Sequence, residues 1–327
     1  MITIGIPVFN RPELVKIAVE SALRQPQSAA ELEILVVDNA STDGTWEVLQ
    51  SYADPRLRLV RNDRNLGLFG NFNRCFFLAR GEYVLTLCSD DALADGLLEP
   101  ARRLLDARPD VAMVSSRGRA TDEVNGRTFP LGSTLPAGVY DAGDAVVALL
   151  WALATYFHNP FNYPSGILVR TALAQAKGGM DEALGFGSDV KLYLSILEDH
   201  GLAIVDRPGC DVLVHTGAQA IKSFGDPRWA QEFVALFDPH LARLAARGLD
   251  GYARAHLGGY LLGTSLRRRV MGQGLIAENF HAEFRRRGYP VLPSLLALAD
   301  SLAKRSRLRR EGPATSPTPV RPHPLPA

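Results

Sequence analysis

Leu32-Glu-Ile-Leu-Val-Val-Asp-Asn-Ala-Ser-Thr-Asp-Gly44 decides the fold class: an apolar run breaks at Asp38 into a cluster of turn-forming residues. A second run, Tyr83-Val-Leu-Thr-Leu87, leads in the same way to Ser89-Asp90-Asp91. Both read as strands with carboxylates just past their carboxyl ends, where an open α/β sheet binds its ligand. One such aspartate alone is explained as a helix cap. Two of them, on strands of one sheet, point to a site for a nucleotide and a divalent metal.

The flanking sequence supports a strand–helix alternation over residues 1–115. Ile2-Thr-Ile-Gly-Ile6 alternates and ends at Pro7, and Pro12 fits the first turn of a helix whose Leu14, Val15, Ala18 and Ala22 share one face. Ser41-Thr-Asp43 caps a helix carrying Trp46, Val48 and Leu49. A strand over Leu57–Val60, a helix ending at Ala79, a helix over Leu97–Ala107 and a strand over Val111–Ser115 complete the pattern. It predicts an α/β fold with a mostly parallel sheet flanked by helices.

Past Ser115 the alternation weakens. Residues 117–142 read as a surface excursion, followed by a helix over Ala142–Ala154 and an aromatic, Pro-rich loop from Tyr156 to Pro164. Short strands are expected at Ile167–Val169, Ala203–Val205 and Val212–Val214, with a helix opening at Gly187-Ser-Asp189. From Trp229 to about Leu308 the chain reads as helical. The tail 312–327 carries six prolines and is expected to be disordered.

Composition excludes several classes. The 327 residues suffice for one large domain with an annex or for two domains. A net charge of +1 gives no overall attraction to nucleic acid or to an anionic membrane. Cys75, Cys88 and Cys210 are far apart, lack metal-ligand spacing and read as free thiols of a reducing compartment. A strand starting at Ile2 leaves no room for a signal peptide, and the apolar stretch 145–157 falls short of the roughly 20 residues that span a bilayer. A cytoplasmic protein is expected, possible contact with the inner face of the membrane being confined to the basic cluster 304–310, for which a solvated helix end is the alternative.

Pro7-Val-Phe-Asn10, Val37-Asp-Asn-Ala-Ser-Thr-Asp-Gly-Thr45, Asn65-Leu-Gly67, Ala79-Arg-Gly-Glu-Tyr-Val84 and Ser89-Asp-Asp91 follow one another in a recognisable order. Ser165-Gly-Ile-Leu-Val-Arg170, Gly179-Met-Asp-Glu182 and Gly187-Ser-Asp189 continue it. Together they resemble the family 2 glycosyltransferases of the GT-A fold over roughly residues 1–225. The resemblance implies a nucleotide-sugar-binding half at 1–115 and an acceptor-side half at 116–225; a helical region at 226–311 resembles nothing named.

The resemblance assigns roles that the residues themselves support with alternatives. Asp38 is implied to contact the nucleobase, and a turn-forming aspartate is the other reading. Pro7 and Phe9 lie where the base and ribose would rest, with Arg11, Asn65 and Ser89 beside the nucleotide; for Phe9 a core position is the alternative, and for Arg11 a solvated helix start. Asp90 corresponds to a metal ligand of the Asp-x-Asp element, whose usual first aspartate is Cys88 here. One carboxylate with phosphate oxygens and water suffices for Mg²⁺ or Mn²⁺. Asp189 matches the general base, against a helix N-cap. His215 matches a histidine that helps bind metal or diphosphate, against a structural histidine, and Lys222 stands where it can close over phosphate.

The expected activity is inverting transfer of a sugar from a nucleotide diphosphate sugar, a UDP-sugar first, to a glycan, lipid-linked or small-molecule acceptor. A sugar nucleotidyltransferase normally has a Gly-rich basic loop after its first strand, which Pro7-Val-Phe-Asn-Arg-Pro12 is not. A non-catalytic sugar-nucleotide binder would lack a base such as Asp189.

Overall fold

The computed structural model describes residues 1–123, 125–132, 134–156, 164–216, 226, 228–311 and 318–326, with the backbone alone over 308–311. Its first half alternates as expected: β1 (Ile2–Val8), α1 (Leu14–Leu23), β2 (Leu32–Asp38), α2 (Thr45–Gln50), β3 (Leu57–Arg61), α3 (Gly67–Leu78), β4 (Tyr83–Thr86), a short β5 (Ala92–Leu93) and α4 (Leu98–Ala107). Then follow β6 (Val111–Asp122), β7 (Arg127–Leu131), β8 (Gly138–Tyr140), α5 (Asp144–Tyr156), β9 (Ile167–Arg170), α6 (Thr171–Ala176), α7 (Ser188–Leu197) and β10 (Gly201–Val214). The C-terminal helices are α8 (Trp229–Ala235), α9 (Leu241–Ala246), α10 (Asp250–Val270), α11 (Gly274–Arg286) and α12 (Val291–Glu311).

The ten strands form one sheet in the order β3-β2-β1-β4-β9-β6-β10-β5, with β7 on β6 and β8 on β10. β1 pairs in parallel with both β2 and β4, and β2 in parallel with β3. β9 is antiparallel to its neighbours β4 and β6, and β10 is parallel to β6. The sheet is covered on both faces. One apolar layer joins β1 and β2 to α1 and α4; the other joins α3, α5, α7 and the C-terminal helices. Every residue from Ala145 to Tyr156 is buried, so the chain's most apolar stretch is a central core helix.

Three expectations are corrected. The supposed excursion at 117–142 is largely sheet: β6 runs on to Asp122 and β7 folds back on it, from Gly118 opposite Leu131 to Asp122 opposite Arg127. The two short strands after residue 200 are one strand, with register shifts around Pro208 that absorb its irregular centre. The tail is ordered where it is described. Val139 and His323 exchange two backbone hydrogen bonds of 2.8 Å, Val320 is buried, and Leu325 packs against the β1 layer. β8 is short and pairs β10, and the tail meets its backbone; proline, lacking an N–H, is tolerated at such an edge. Gly138 fits this approach, since a Cβ there would stand 2.6 Å from the His323 carbonyl oxygen.

Candidate active site

Strand direction explains why distant residues meet. β1, β2 and β4 run in parallel, so Val8, Asp38 and Thr86 finish at one edge of the sheet. β9 runs the other way, which starts it at that edge with Ser165 just before it. β6 and β10 are antiparallel to β9 or parallel to each other, so β10 delivers His215 to the same edge.

Asp90 is the centre of the cluster. Its Oδ2 is 3.0 Å from Nε2 of His215 and also accepts a hydrogen bond from the Arg11 guanidinium. Asp91, behind it, is buried; it accepts a hydrogen bond from the Ser165 hydroxyl and one of 3.2 Å from the Leu213 N–H. Burial, then the neighbouring Asp90, pushes the Asp91 carboxyl up to about 7. Ser165 Oγ also accepts from the Cys88 N–H at 3.1 Å, which fixes the turn after β4. Neither aspartate caps a helix, because α4 begins only at Leu98.

Among the described residues Cys88, Asp90 and Asp91 bring ligand atoms within 4.8 Å of one another. Burial, then Asp91 and Asp90, holds the Cys88 thiol well above its usual range, so it stays protonated and is no partner for a hard cation. Asp91 already serves Ser165 and Leu213. The carboxylate of Asp90 and the imidazole of His215 fit Mg²⁺ or Mn²⁺, provided Arg11 leaves Asp90.

The β1 and β2 loops form the adjoining wall. Pro7 and Val8 pair with Val37 and Asp38 in the sheet, while Phe9 stands 40% exposed beyond it. The Asn10 N–H donates to Ser41 Oγ at 2.9 Å, its Oδ1 accepts from the Thr42 N–H, and the Arg11 N–H donates to Thr45 Oγ1. Asp38 is fully buried: its Oδ2 takes the Ser41 N–H at 3.2 Å and Arg61 Nε at 3.1 Å. Asp38 thus braces the turn after β2, and its Oδ1 makes a long contact of 3.4 Å to the same N–H. Ser89 is buried at the β4 turn.

The sequence reading missed an asparagine network beneath this wall. Asn39 donates to Asn65 Oδ1 and to the Gly67 carbonyl, and accepts from Asn62 and from the Leu66 N–H. Asn62 also donates to Asn71, which donates in turn to the Val37 carbonyl at 3.0 Å. Amide side chains of this kind satisfy backbone groups left open at strand ends. Asn65 Oδ1 accepts from Asn39 and from the Gly67 N–H.

Asp189 lies half-buried in the first turn of α7. Gly187, at φ 69°, is the residue before the helix, so Asp189 is not its cap. Burial raises its carboxyl above the usual range, against the backbone N–H groups of Val190 and of Asp189 itself. Tyr193, one turn on, is buried, bonds to Thr86 of β4, and feels the charge of Asp189. It links α7 to the Asp90 turn. Asp181 is held by Lys191 at 2.7 Å and Ser188 by the Asp181 carbonyl, which fixes the loop before α7. A cavity of about 290 Å³ lined by Lys191, Ser195 and Glu198 lies on the opposite face of α7, away from Asp189. Lys222 and the aromatic loop residues 157–163 lie outside the described residues.

With that geometry in place, residues 3–178 match the family model described as Glycosyl transferase family 2. The chain belongs to this family. The succinoglycan biosynthesis protein ExoO of Rhizobium meliloti is 29% identical over 260 residues, covering 76% of this chain and 70% of that protein. The Escherichia coli protein WfaP, a UDP-Glc:alpha-D-GlcNAc-diphosphoundecaprenol beta-1,3-glucosyltransferase, is 33% identical over 91 residues, 28% of this chain and 36% of that one. The fold is shared with S. aureus TarS 1-349 in complex with UDP-GlcNAc, at TM-score 0.62 and 17% identity over 95% of this chain and 91% of that one. The chain is a glycosyltransferase with a GT-A sheet and a C-terminal set of helices.

Proposed function

We propose that this glycosyltransferase moves a sugar from a UDP-sugar to an acceptor hydroxyl with inversion at the anomeric carbon, in the building of a bacterial glycan. The observation that carries the reading is the convergence of Arg11 and His215 on Asp90 at the edge where β1, β2 and β4 end. The UDP-GlcNAc complex of TarS and the names of ExoO and WfaP support the donor and product classes. A glycan, lipid-linked or small-molecule acceptor fits them equally.

Pro7 and Phe9 border the base and ribose, with Arg11, Asn65 and Ser89 around the nucleotide. Asp38 offers its carboxylate to a base N–H once Arg61, paired with Oδ2 and itself 41% exposed, moves aside. Asp90 and His215 would hold Mg²⁺ or Mn²⁺, which would disperse charge on the diphosphate. Freed from Asp90, the Arg11 cation is placed to pair with a phosphate oxygen. Asp189 takes the acceptor proton as the acceptor oxygen bonds to the anomeric carbon, and the bond from that carbon to the diphosphate breaks to release UDP. A raised carboxyl pKa makes Asp189 a better base than an exposed aspartate would be.

A thermal-shift screen of UDP-, GDP-, TDP- and CMP-sugars with Mn²⁺ should single out UDP-sugars, and NMR of the product should show an inverted anomeric centre. Retention of configuration would reject the single displacement. UDP binding without transfer to any acceptor would favour a non-catalytic nucleotide-sugar binder.

A further inference from the structure

The helix α12 buries its small residues and exposes most of its leucines. α12 turns Ser294, Ala297 and Ser301 inward, while Leu292, Leu295, Leu296 and Leu302 stand 49–67% exposed on its outer side. The inner contact explains the arrangement. α12 lies antiparallel on a glycine face of α10, where a Cβ on Gly259 would stand 2.6 Å from the Ser294 carbonyl oxygen and one on Gly263 would stand 2.9 Å from Leu298. Small residues are needed there to let the backbones approach, so the large apolar side chains are left for the outside.

The same antiparallel pairing brings the end of α10 towards the start of α12. Leu266, Val270 and Met271, and Leu275 at the start of α11, are 56–85% exposed there. An apolar surface of this size on a folded chain calls for an occupant. Charge identifies it. From Leu266 to Glu311 the chain carries eleven Lys and Arg against four Asp and Glu, within a whole of 36 against 35. The neutral total therefore hides a basic C-terminal region joined to an acidic remainder. Two copies of this face would repel each other, whereas an anionic phospholipid surface complements both its leucines and its arginines.

We propose that the outer face of α12, with the adjoining ends of α10 and α11, rests on an anionic lipid surface. The contact is peripheral, because no helix among the described residues is long and apolar enough to cross a membrane. Of the basic cluster 304–310, the side chains of 308–310 lie outside the described residues. Lys304 points inward, bonded to Asp300 at 2.7 Å and to the Tyr252 hydroxyl at 3.1 Å. The leucine stripe carries the contact instead, with arginines such as Arg267 and Arg269 at its border.

The test is flotation of the full chain, without nucleotide, on vesicles of phosphatidylcholine alone and of phosphatidylcholine with a quarter of phosphatidylglycerol. The parent should float with the anionic vesicles, lose them as salt is raised, and ignore the neutral ones. Joint replacement of Leu292, Leu295, Leu296 and Leu302 by Gln should weaken binding at least about tenfold with the melting temperature kept. Arg267→Gln with Arg269→Gln should weaken it less and flatten the salt dependence. A parent that does not float, or a four-Gln variant that floats as well as the parent, would overturn the proposal. So would a parent dimer in sedimentation velocity that the four-Gln variant turns into a monomer, because that places a second copy on the face. UDP binding is read separately, so failure here leaves the glycosyltransferase reading untouched.

Discussion

Ser165→Ala removes one oxygen that serves two buried groups. The Ser165 hydroxyl is fully buried, donates to Asp91 and accepts from the Cys88 N–H at 3.1 Å. Without it Asp91 keeps the Leu213 N–H, and the Cys88 N–H faces a methyl group. Losing a hydrogen bond to an acid costs about 1.5–3 kcal/mol, and orphaning a buried N–H costs about 1–3 more, so roughly 4 kcal/mol is expected. At about 2 °C per kcal/mol for a chain of this size, the melting temperature should fall by roughly 8 °C. Ser165 also lowers the Asp91 carboxyl, so its loss moves Asp91 further above about 7 and neutralises it near physiological pH. The turn carrying Asp90 is then less firmly set. Thermal unfolding with and without UDP and Mn²⁺ reads both effects: a lower melting point, and a smaller shift on adding the pair. An unchanged melting temperature with an unchanged ligand shift would refute the view that Ser165 holds the site together.

Asp90→Asn should abolish the metal-dependent part of UDP stabilisation while leaving the fold intact, because it removes the charge shared by Arg11 and His215; calorimetric titration with UDP and Mn²⁺ checks it. His256 gives a pH signature away from the site. Burial, then Lys304, pulls its pKa from 6.5 to about 4, so the unfolded chain binds the extra proton first as pH falls. Its contribution is intact above pH 6.5 and is lost towards pH 4, up to about 3 kcal/mol. Unfolding by urea across that range should show the loss, and His256→Gln should flatten it.

The sheet's ligand edge was legible because buried parallel strands are written as short apolar runs and end in turn chemistry. Asp38 and Asp90 stand just past such runs, whereas Asp189, at a helix start, is singled out by the family resemblance alone. The Arg11–Asp90 pair was not legible, since 79 residues separate its partners and only strand order joins them. The asparagines at 39, 62 and 71 share no pattern in the sequence and meet only in the fold. β6 and β10 were cut short in the reading because Arg117, Arg119, Asp206 and Pro208 interrupt their apolar pattern; in the sheet Arg117 pairs with Asp206 and Arg119 with Asp211. The tail looked disordered because a segment that adds to an existing edge carries no periodicity of its own. The sequence does not say which way the leucines of α12 face; the glycine face of α10 shows why they point out.

Asp189→Asn carries the central claim, since it keeps the size of the side chain at the start of α7 and removes only its basicity. Single-turnover transfer with saturating UDP-sugar and Mn²⁺ should fall by roughly 10²–10⁴, with donor affinity and melting temperature unchanged and donor hydrolysis less affected. Transfer at close to the parent rate would contradict the account and move the base elsewhere, with Asp181, tied to Lys191, and Glu182, tied to Asn73, as the neighbouring carboxylates.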